Sequence, residues 1–384
     1  MIDPGNVPLS LYVHLPWCTR KCPYCDFNSH EGFLPTLQQP YIEALLSDLD
    51  SQQHWLAGRA VDSIFIGGGT PSLFESRWIA ELLEGIAQRV FLPNDIEITL
   101  ESNPGSAESS RFKDYRLAGV NRLSIGVQSF DDKALKTLGR VHSGDEARHA
   151  LDLVAAVGFD RWNIDLMHGL PGQNAALAEA DLTEAIDRSA GHISWYQLTI
   201  ERNTHFWSRP PIVPEESTLE AIQLQGEACL NEAHLLQYEV SAFSRPGEES
   251  RHNLNYWEFG DYLGLGAGAH GKVSLHDGAI VRSQRTRAPL DYLKEANSPS
   301  MPPPPRVALA PEEKTVEFAM NALRLKSGVP IHRFAEHTGL PAEQLAAAAT
   351  TALSRGWIED FSNGQFRTTP LGYRFLDSVI ATFL

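Results

Sequence analysis

The sequence predicts an α/β protein, a partial (open) six-fold β/α barrel followed by a small C-terminal α+β domain of winged-helix type. From residue 11 to about 270, short β-rich runs alternate with amphipathic helical stretches, the pattern of right-handed βαβ crossovers and a parallel sheet. Only six such units can be traced, too few for a closed eight-fold barrel. After a proline-rich break the pattern changes to helices followed by a turn signal.

In chain order, the expected strands lie at 11–15, 63–66, 96–100, 122–127, 162–167 and 194–200. Helices with one apolar face are expected at 41–56, 78–90, 146–157 and 178–188. The barrel is assigned to 1–275, with a cysteine-rich loop at 18–25. Residues 276–309 are expected to form a connector stiffened by Pro302, Pro303, Pro304 and Pro305. The C-terminal domain, 310–384, should hold helices at 311–325, 331–337 and 342–355. A hairpin of 357–359 with 365–368 is expected around Asn363-Gly364.

Composition narrows the function. The 384 residues hold 32 Lys and Arg against 48 Asp and Glu, a net charge of −16. Such a chain is repelled by polyanions, which excludes general nucleic-acid binding. The C-terminal domain carries 7 basic and 8 acidic residues, so it lacks the basic face of a DNA-binding winged helix and is expected to contact protein or act as a lid. No run approaches the ~18 apolar residues of a membrane span. The N-terminus has neither a basic nor an apolar leader segment. With four cysteines and no sign of secretion, a reduced cytoplasmic compartment is expected.

Chemistry concentrates at strand ends, where open α/β folds place their ligands. Cys18, Cys22 and Cys25 are spaced C-x3-C-x2-C just after the first strand. Three thiolates on one loop suit three irons of a [4Fe–4S] cluster and leave the fourth iron open. Zinc is the alternative, completed by His14, Asp26 or His30. Gly67, Gly68 and Gly69, ahead of Thr70, free a stretch of backbone for a ligand, or else form only a turn. Glu101 ends the third strand with a carboxylate, and Gln128 ends the fourth with both a donor and an acceptor. Arg140 offers a guanidinium fork, and Asp165 lies near the end of the fifth strand. Together these groups suit a molecule with an amine, a carboxylate and a ribose. S-adenosylmethionine (SAM) has all three.

The C-x3-C-x2-C loop on a partial barrel resembles the radical SAM superfamily, in which SAM chelates the open iron and is cleaved to a 5′-deoxyadenosyl radical. The segments His14–Cys18, Gly67–Pro71, Gly126–Gln128, Leu138–His142, Asp165–Pro171 and Gly264–Gly268 are similar to its coproporphyrinogen-dehydrogenase group. That resemblance implies that Tyr12, Gly68 and Glu101 contact cluster-bound SAM. It implies a second SAM on Gly69, Thr70, Gln128, Arg140 and Asp165, with Trp17 and Tyr24 as shields of the cluster. Two departures matter: the dehydrogenase has a further cysteine where Phe27 stands, and a longer N-terminal extension. The HemW-type haem-chaperone branch lacks both and carries His-Asn-x-x-Tyr-Trp, read here from His252 to Trp257.

A haem chaperone is therefore the implied function, with oxygen-independent coproporphyrinogen III oxidation as the alternative. Haem would be cargo, bound through His252 on a loop, with Tyr256 and Trp257 against the porphyrin. The bland reading of the same motif is a loop histidine beside two core aromatics. His142, His168 and His270 are rival ligands, and His270 could instead meet adenine. Cys229 is expected in the core. The implied partners are haem, acceptor haem proteins such as respiratory enzymes, and an electron donor for the cluster. A homodimer stays open, as does peripheral residence at the inner face of the membrane during delivery.

Overall fold

The computed structural model describes residues 2–189, 191–298 and 300–384. All six expected strands form: β1 (Leu9–Leu15), β2 (Ser63–Gly68), β3 (Glu97–Ser102), β4 (Arg122–Gln128), β5 (Arg161–His168) and β6 (His192–Gln197). They lie in sequence order, all parallel, in one open sheet. β1 is buried on both faces over almost its whole length, which explains why its sequence reads as a near-continuous apolar run. The intervening helices are Gln38–Leu56, Ser76–Ala87, Gly144–Val157 and Ala175–Arg188. Gly144–Val157 shows how local the signals are. A Ser143–Glu146 capping box starts it, and Gly158 in the left-handed region ends it.

The sheet is wider than six strands. β7 (Leu236–Glu239) and β8 (Ala242–Ser244) extend it beyond β6. On the other side, β9 (Asp261–Leu265) pairs parallel with β1, followed by antiparallel β10 (His270–Ser274), β11 (Ile280–Gln284) and β12 (Arg306–Ala308). The stretch expected as a plain connector thus supplies two strands and the helix Pro289–Ala296. Short antiparallel strands carry too little periodic signal to separate from loop.

Two C-terminal expectations change. The helix expected over 342–355 is two, Ala342–Ala348 and Thr350–Ser354. The expected hairpin is reduced to a bridge between Ile358 and Thr368. Its second strand, β14 (Gln365–Phe366), pairs instead with β13 (Val329–Pro330). Asp360 accepts from the Ser362 amide and opens a 3-10 turn, Phe361–Asn363, which widens the loop. This domain has its own core around Phe318, Phe334 and Phe366, shared with Ile2, Val7, Phe259 and Ile280.

A buried charge hub fixes the β9 side of the sheet. Asp261 accepts from Arg59 Nη1 at 2.7 Å, from Lys272 Nζ at 3.0 Å and from the Ser274 amide at 2.8 Å. Burial alone would raise its pKa, but Lys272 and Arg59 hold it below the usual carboxylate range. Removing one partner of such a set leaves a buried charge uncompensated. Asp261→Ala should therefore cost about 3–5 kcal/mol, read as a lowered urea midpoint at unchanged slope. A change within experimental scatter would mean the hub is dispensable.

Candidate functional site

The six parallel strands deliver their C-terminal ends to one rim, and the cysteine loop arches over it. Two backbone bonds pinch the loop shut, Cys18 N–H to His30 O at 2.9 Å and His30 N–H to Pro16 O at 2.7 Å. Asn28 ties its far end down, donating to the carbonyls of Ala267 and Arg287, both at 2.9 Å. Cys18 is buried, and Cys22 and Cys25 are half-buried. Burial, then the neighbouring Cys25 and Cys22, push the Cys18 thiol up to about 11, and burial also raises Cys25. The thiols thus sense one another, yet among the described residues no set of three Cys, His, Asp or Glu side chains gathers round a single ion. His14 is unavailable to zinc: Nε2 donates to Asn28 O at 2.9 Å, and Nδ1 accepts from the Tyr12 hydroxyl at 2.9 Å.

Below the thiols lies a cavity of about 420 Å³, lined by Gly68, Gly69, Thr70, Glu101, Gln128, Arg140 and Asp165. Tyr12 faces an adjoining cavity that shares Gly68 and Glu101 with the first. The glycines are required. Gly68 has φ +121°, and a Cβ on Gly69 would stand 2.4 Å from the Trp17 carbonyl oxygen. Thr70 Oγ1 accepts from Asn103 Nδ2 at 3.0 Å, and Gln128 Oε1 from the Tyr196 hydroxyl at 2.7 Å. Asp165 accepts from Ser124 Oγ and Asn163 Nδ2 at 3.0 and 2.6 Å.

Glu101 and Arg140 form no salt bridge in this cavity among the described residues. Glu101 accepts from the Gly68 amide at 3.0 Å. Burial, then the nearby Asp165, push its pKa up to about 8. Arg140 Nη2 donates to Asn103 Oδ1 at 2.5 Å and to Gly126 O at 2.6 Å, and Nη1 approaches Cys22 Sγ at 3.8 Å. Its Nε has no partner among the described residues. The sequence reading missed Asn103, which bridges Thr70 and Arg140, and Tyr196. The signal for Asn103 was its place two residues after Glu101, whereas Tyr196 reads as an ordinary strand aromatic.

His252 requires a correction. It lies on the helix Arg251–Trp257, not a loop, and is 1% exposed. Nδ1 bonds Ser63 Oγ at 2.9 Å, Nε2 bonds the Tyr256 hydroxyl at 3.2 Å, and the ring stacks on Phe65. Burial lowers its pKa to about 3. With both nitrogens engaged and no access from solvent, this ring presents no lone pair to a cargo haem. His142 and His168 are buried too, one bonded to Val127 O and the other packed on Trp195. His270 alone of the rivals is exposed. Tyr24 lines the main cavity, whereas Trp17 packs into the core among Phe33, Tyr41 and Phe74. Cys229 is half-buried against the main core.

Residues 12–183 match the family model of the radical SAM superfamily, and residues 309–375 match that of the HemN C-terminal domain. The solved structure of coproporphyrinogen III oxidase (HemN) from Escherichia coli superposes with a TM-score of 0.82. It covers 99% of this chain and 91% of that one at 21% identity, a likeness of fold. Residues 12–183 thus carry the radical SAM domain. It is 45% identical to heme chaperone HemW of Escherichia coli strain K12, over 98% of both chains. To heme chaperone HemW of Haemophilus influenzae it is 44% identical over 99% of both. A mitochondrial radical SAM domain-containing protein 1 of Bos taurus is 38% identical over 85% of this chain and 75% of that one. Within the superfamily, the chain belongs to the HemW family.

Glu101 gives the ligand-free protein a pH signature. Its folded pKa of about 8 lies above the ordinary 4.5, so the native state binds the extra proton between those values. Its stabilising contribution is complete below 4.5 and is lost as pH rises through about 8. Glu101→Gln should flatten that decline, measured as urea midpoints at about pH 5 and about pH 9. An equally steep decline in the variant would show that Glu101 is ordinary.

Proposed function

We propose that this chain is a haem chaperone that holds a [4Fe–4S] cluster on Cys18, Cys22 and Cys25 and binds SAM beneath it. It then passes haem to acceptor haem proteins, respiratory enzymes among them. Haem transfer is inferred from the near full-length identity to proteins named heme chaperone HemW. SAM binding rests on one observation: a single cavity beside the thiols holds a half-buried carboxylate, Glu101, and a half-buried guanidinium, Arg140, neither of which forms a salt bridge among the described residues. An amino acid's ammonium and carboxylate complement that pair, and leaving either charge unmatched is costly.

When bound, the cluster and SAM supply the redox chemistry. The chain's own part is positional. Gly68 and Gly69 let a ligand lie against the main chain, and Glu101 gives up its proton when an ammonium arrives. Arg140 is held ready by Asn103 and the Gly126 carbonyl, so its orientation is set before binding. The reading has the chain work in the cytoplasm, with peripheral residence at the inner face of the membrane left open. Among the described residues no helix is long and apolar enough to cross a membrane.

SAM binding should tighten as pH rises toward about 8, by up to about tenfold per unit, as Glu101 loses its proton. Binding that is flat across this range would remove Glu101 from the ammonium site. The whole reading is tested with protein reconstituted anaerobically with iron and sulfide, loaded with haem and mixed with a haem-free acceptor. Haem should appear on the acceptor, and Cys18→Ala should lose the cluster absorbance. A parallel reaction with coproporphyrinogen III, SAM and a reductant tests the alternative. Protoporphyrinogen formed over many turnovers, with no haem transferred, would make this chain an oxidase.

A further inference from the structure

The cavity below the thiols is a poor seat for a porphyrin. Its walls carry Glu101, Asp165 and Arg140, and an apolar macrocycle there would strip water from charges it cannot replace. The adjoining cavity shares Glu101 but has neither Asp165 nor Arg140 in its walls. Its volume is about 540 Å³, and it opens between the cysteine loop and the β9–β11 side of the sheet. Phe27 is 61% exposed at its mouth, unusual for so large an apolar ring. Tyr262 forms the opposite wall, its hydroxyl accepting from Arg282 Nη1 at 2.5 Å.

Two polar groups of its lining, His270 and Arg287, are not engaged by side-chain partners among the described residues. His270 stands at the start of β10, paired in register with Gln284 of β11. Its ring makes no hydrogen bond among the described residues. Burial, with Arg282 and Arg287 nearby, lowers its pKa, so the imidazole is neutral at ordinary pH. The Arg287 side chain also lines the cavity and pairs with no carboxylate among the described residues. Arg282, by contrast, is committed to Glu317. Asp26 and the shared Glu101 are the carboxylates here that an anionic group must avoid.

We propose that haem docks in this side cavity, with His270 as axial ligand, Phe27 against the porphyrin face and Arg287 on a propionate. The proposal rests on the haem-chaperone reading above and names the residues of its cargo site. Neutral imidazole is a common haem ligand, and a guanidinium without a carboxylate is matched to a propionate. Because Gly68 and Glu101 border both cavities, haem there would lie against the SAM pocket.

The test is titration of the full chain with haemin and with haemin dimethyl ester, followed in the Soret band. Wild type should bind both and prefer haemin. His270→Ala should weaken haemin binding by about tenfold or more and lose the imidazole-type spectrum, which free imidazole restores. Arg287→Ala should keep that spectrum but lose the preference for haemin over its diester. Wild-type affinity and spectrum in His270→Ala would overturn the assignment while the chaperone reading stands. So would loss of the spectrum in His252→Gln alone with the fold intact by circular dichroism. Failure of wild type to bind haemin at all would overturn both.

Discussion

The Asp261 hub sits far from the cysteine loop, yet it sets where the loop lies. Asp261 opposes Leu9, and its amide donates to Pro8 O at 2.9 Å, so β9 meets β1 in one register. A slip of one residue would turn every side chain of β9 to the other face. From that register follow the positions of Leu265 and the turn after it. Gly266 passes so close to His14 that a Cβ would come within 2.4 Å of the carbonyl oxygen. The same turn presents the Ala267 carbonyl that Asn28 holds. A buried charge at one end of β9 thereby fixes the hydrogen bond that anchors the thiol loop at the other.

A second network rises through the barrel interior and fixes Asp165 from below. The Tyr238 hydroxyl bonds His192 Nε2 at 2.9 Å, and His192 Nδ1 donates to Asn163 Oδ1 at 2.6 Å. Asn163 in turn donates to Ser124 Oγ and to Asp165. His192 is held neutral by burial and by Arg122, so each member of the chain has one orientation that satisfies it. Asp165 needs that support, since burial raises its pKa and Glu101 stands nearby. The same rigidity sets Asp165 beside Glu101, with Arg140 acting on Asp165 but no salt bridge to Glu101 among the described residues.

The sequence made the strands, the thiol loop and the glycine run legible because each is a local signal. A buried strand reads as an apolar run, and C-x3-C-x2-C needs no tertiary context. What it concealed was set by distant partners. His252 looked like a ligand because an imidazole beside Tyr and Trp suits haem, but its environment is made by Ser63 and Phe65 of β2, 187 or more residues away in the chain. Asn103 matters only because Arg140 and Thr70 meet across it. The Asn363-Gly364 turn was read correctly as a turn. Its strand chose Val329–Pro330 as partner, a pairing that depends on how the C-terminal helices pack.

The His252–Trp257 segment has a structural role of its own. Asn255 Nδ2 donates to Asp261 O at 2.8 Å, which joins the segment to the charge hub. Trp257 lies under Arg324 of the C-terminal domain, and Glu258 O accepts from His337 Nδ1 at 2.7 Å. The segment therefore fastens the barrel floor to the C-terminal domain. On the proposed haem-chaperone reading, ligating cargo there gains nothing. Freeing His252 breaks two buried hydrogen bonds, each worth about 0.5–1.5 kcal/mol, and disturbs the fastening at each cycle. A ligand on an exposed rim, on a strand start with no bond to lose, lets haem arrive and leave while the fold stays intact. On these grounds the proposed cargo site is put at His270, while the segment that carries the buried His252 ties the barrel to the C-terminal domain.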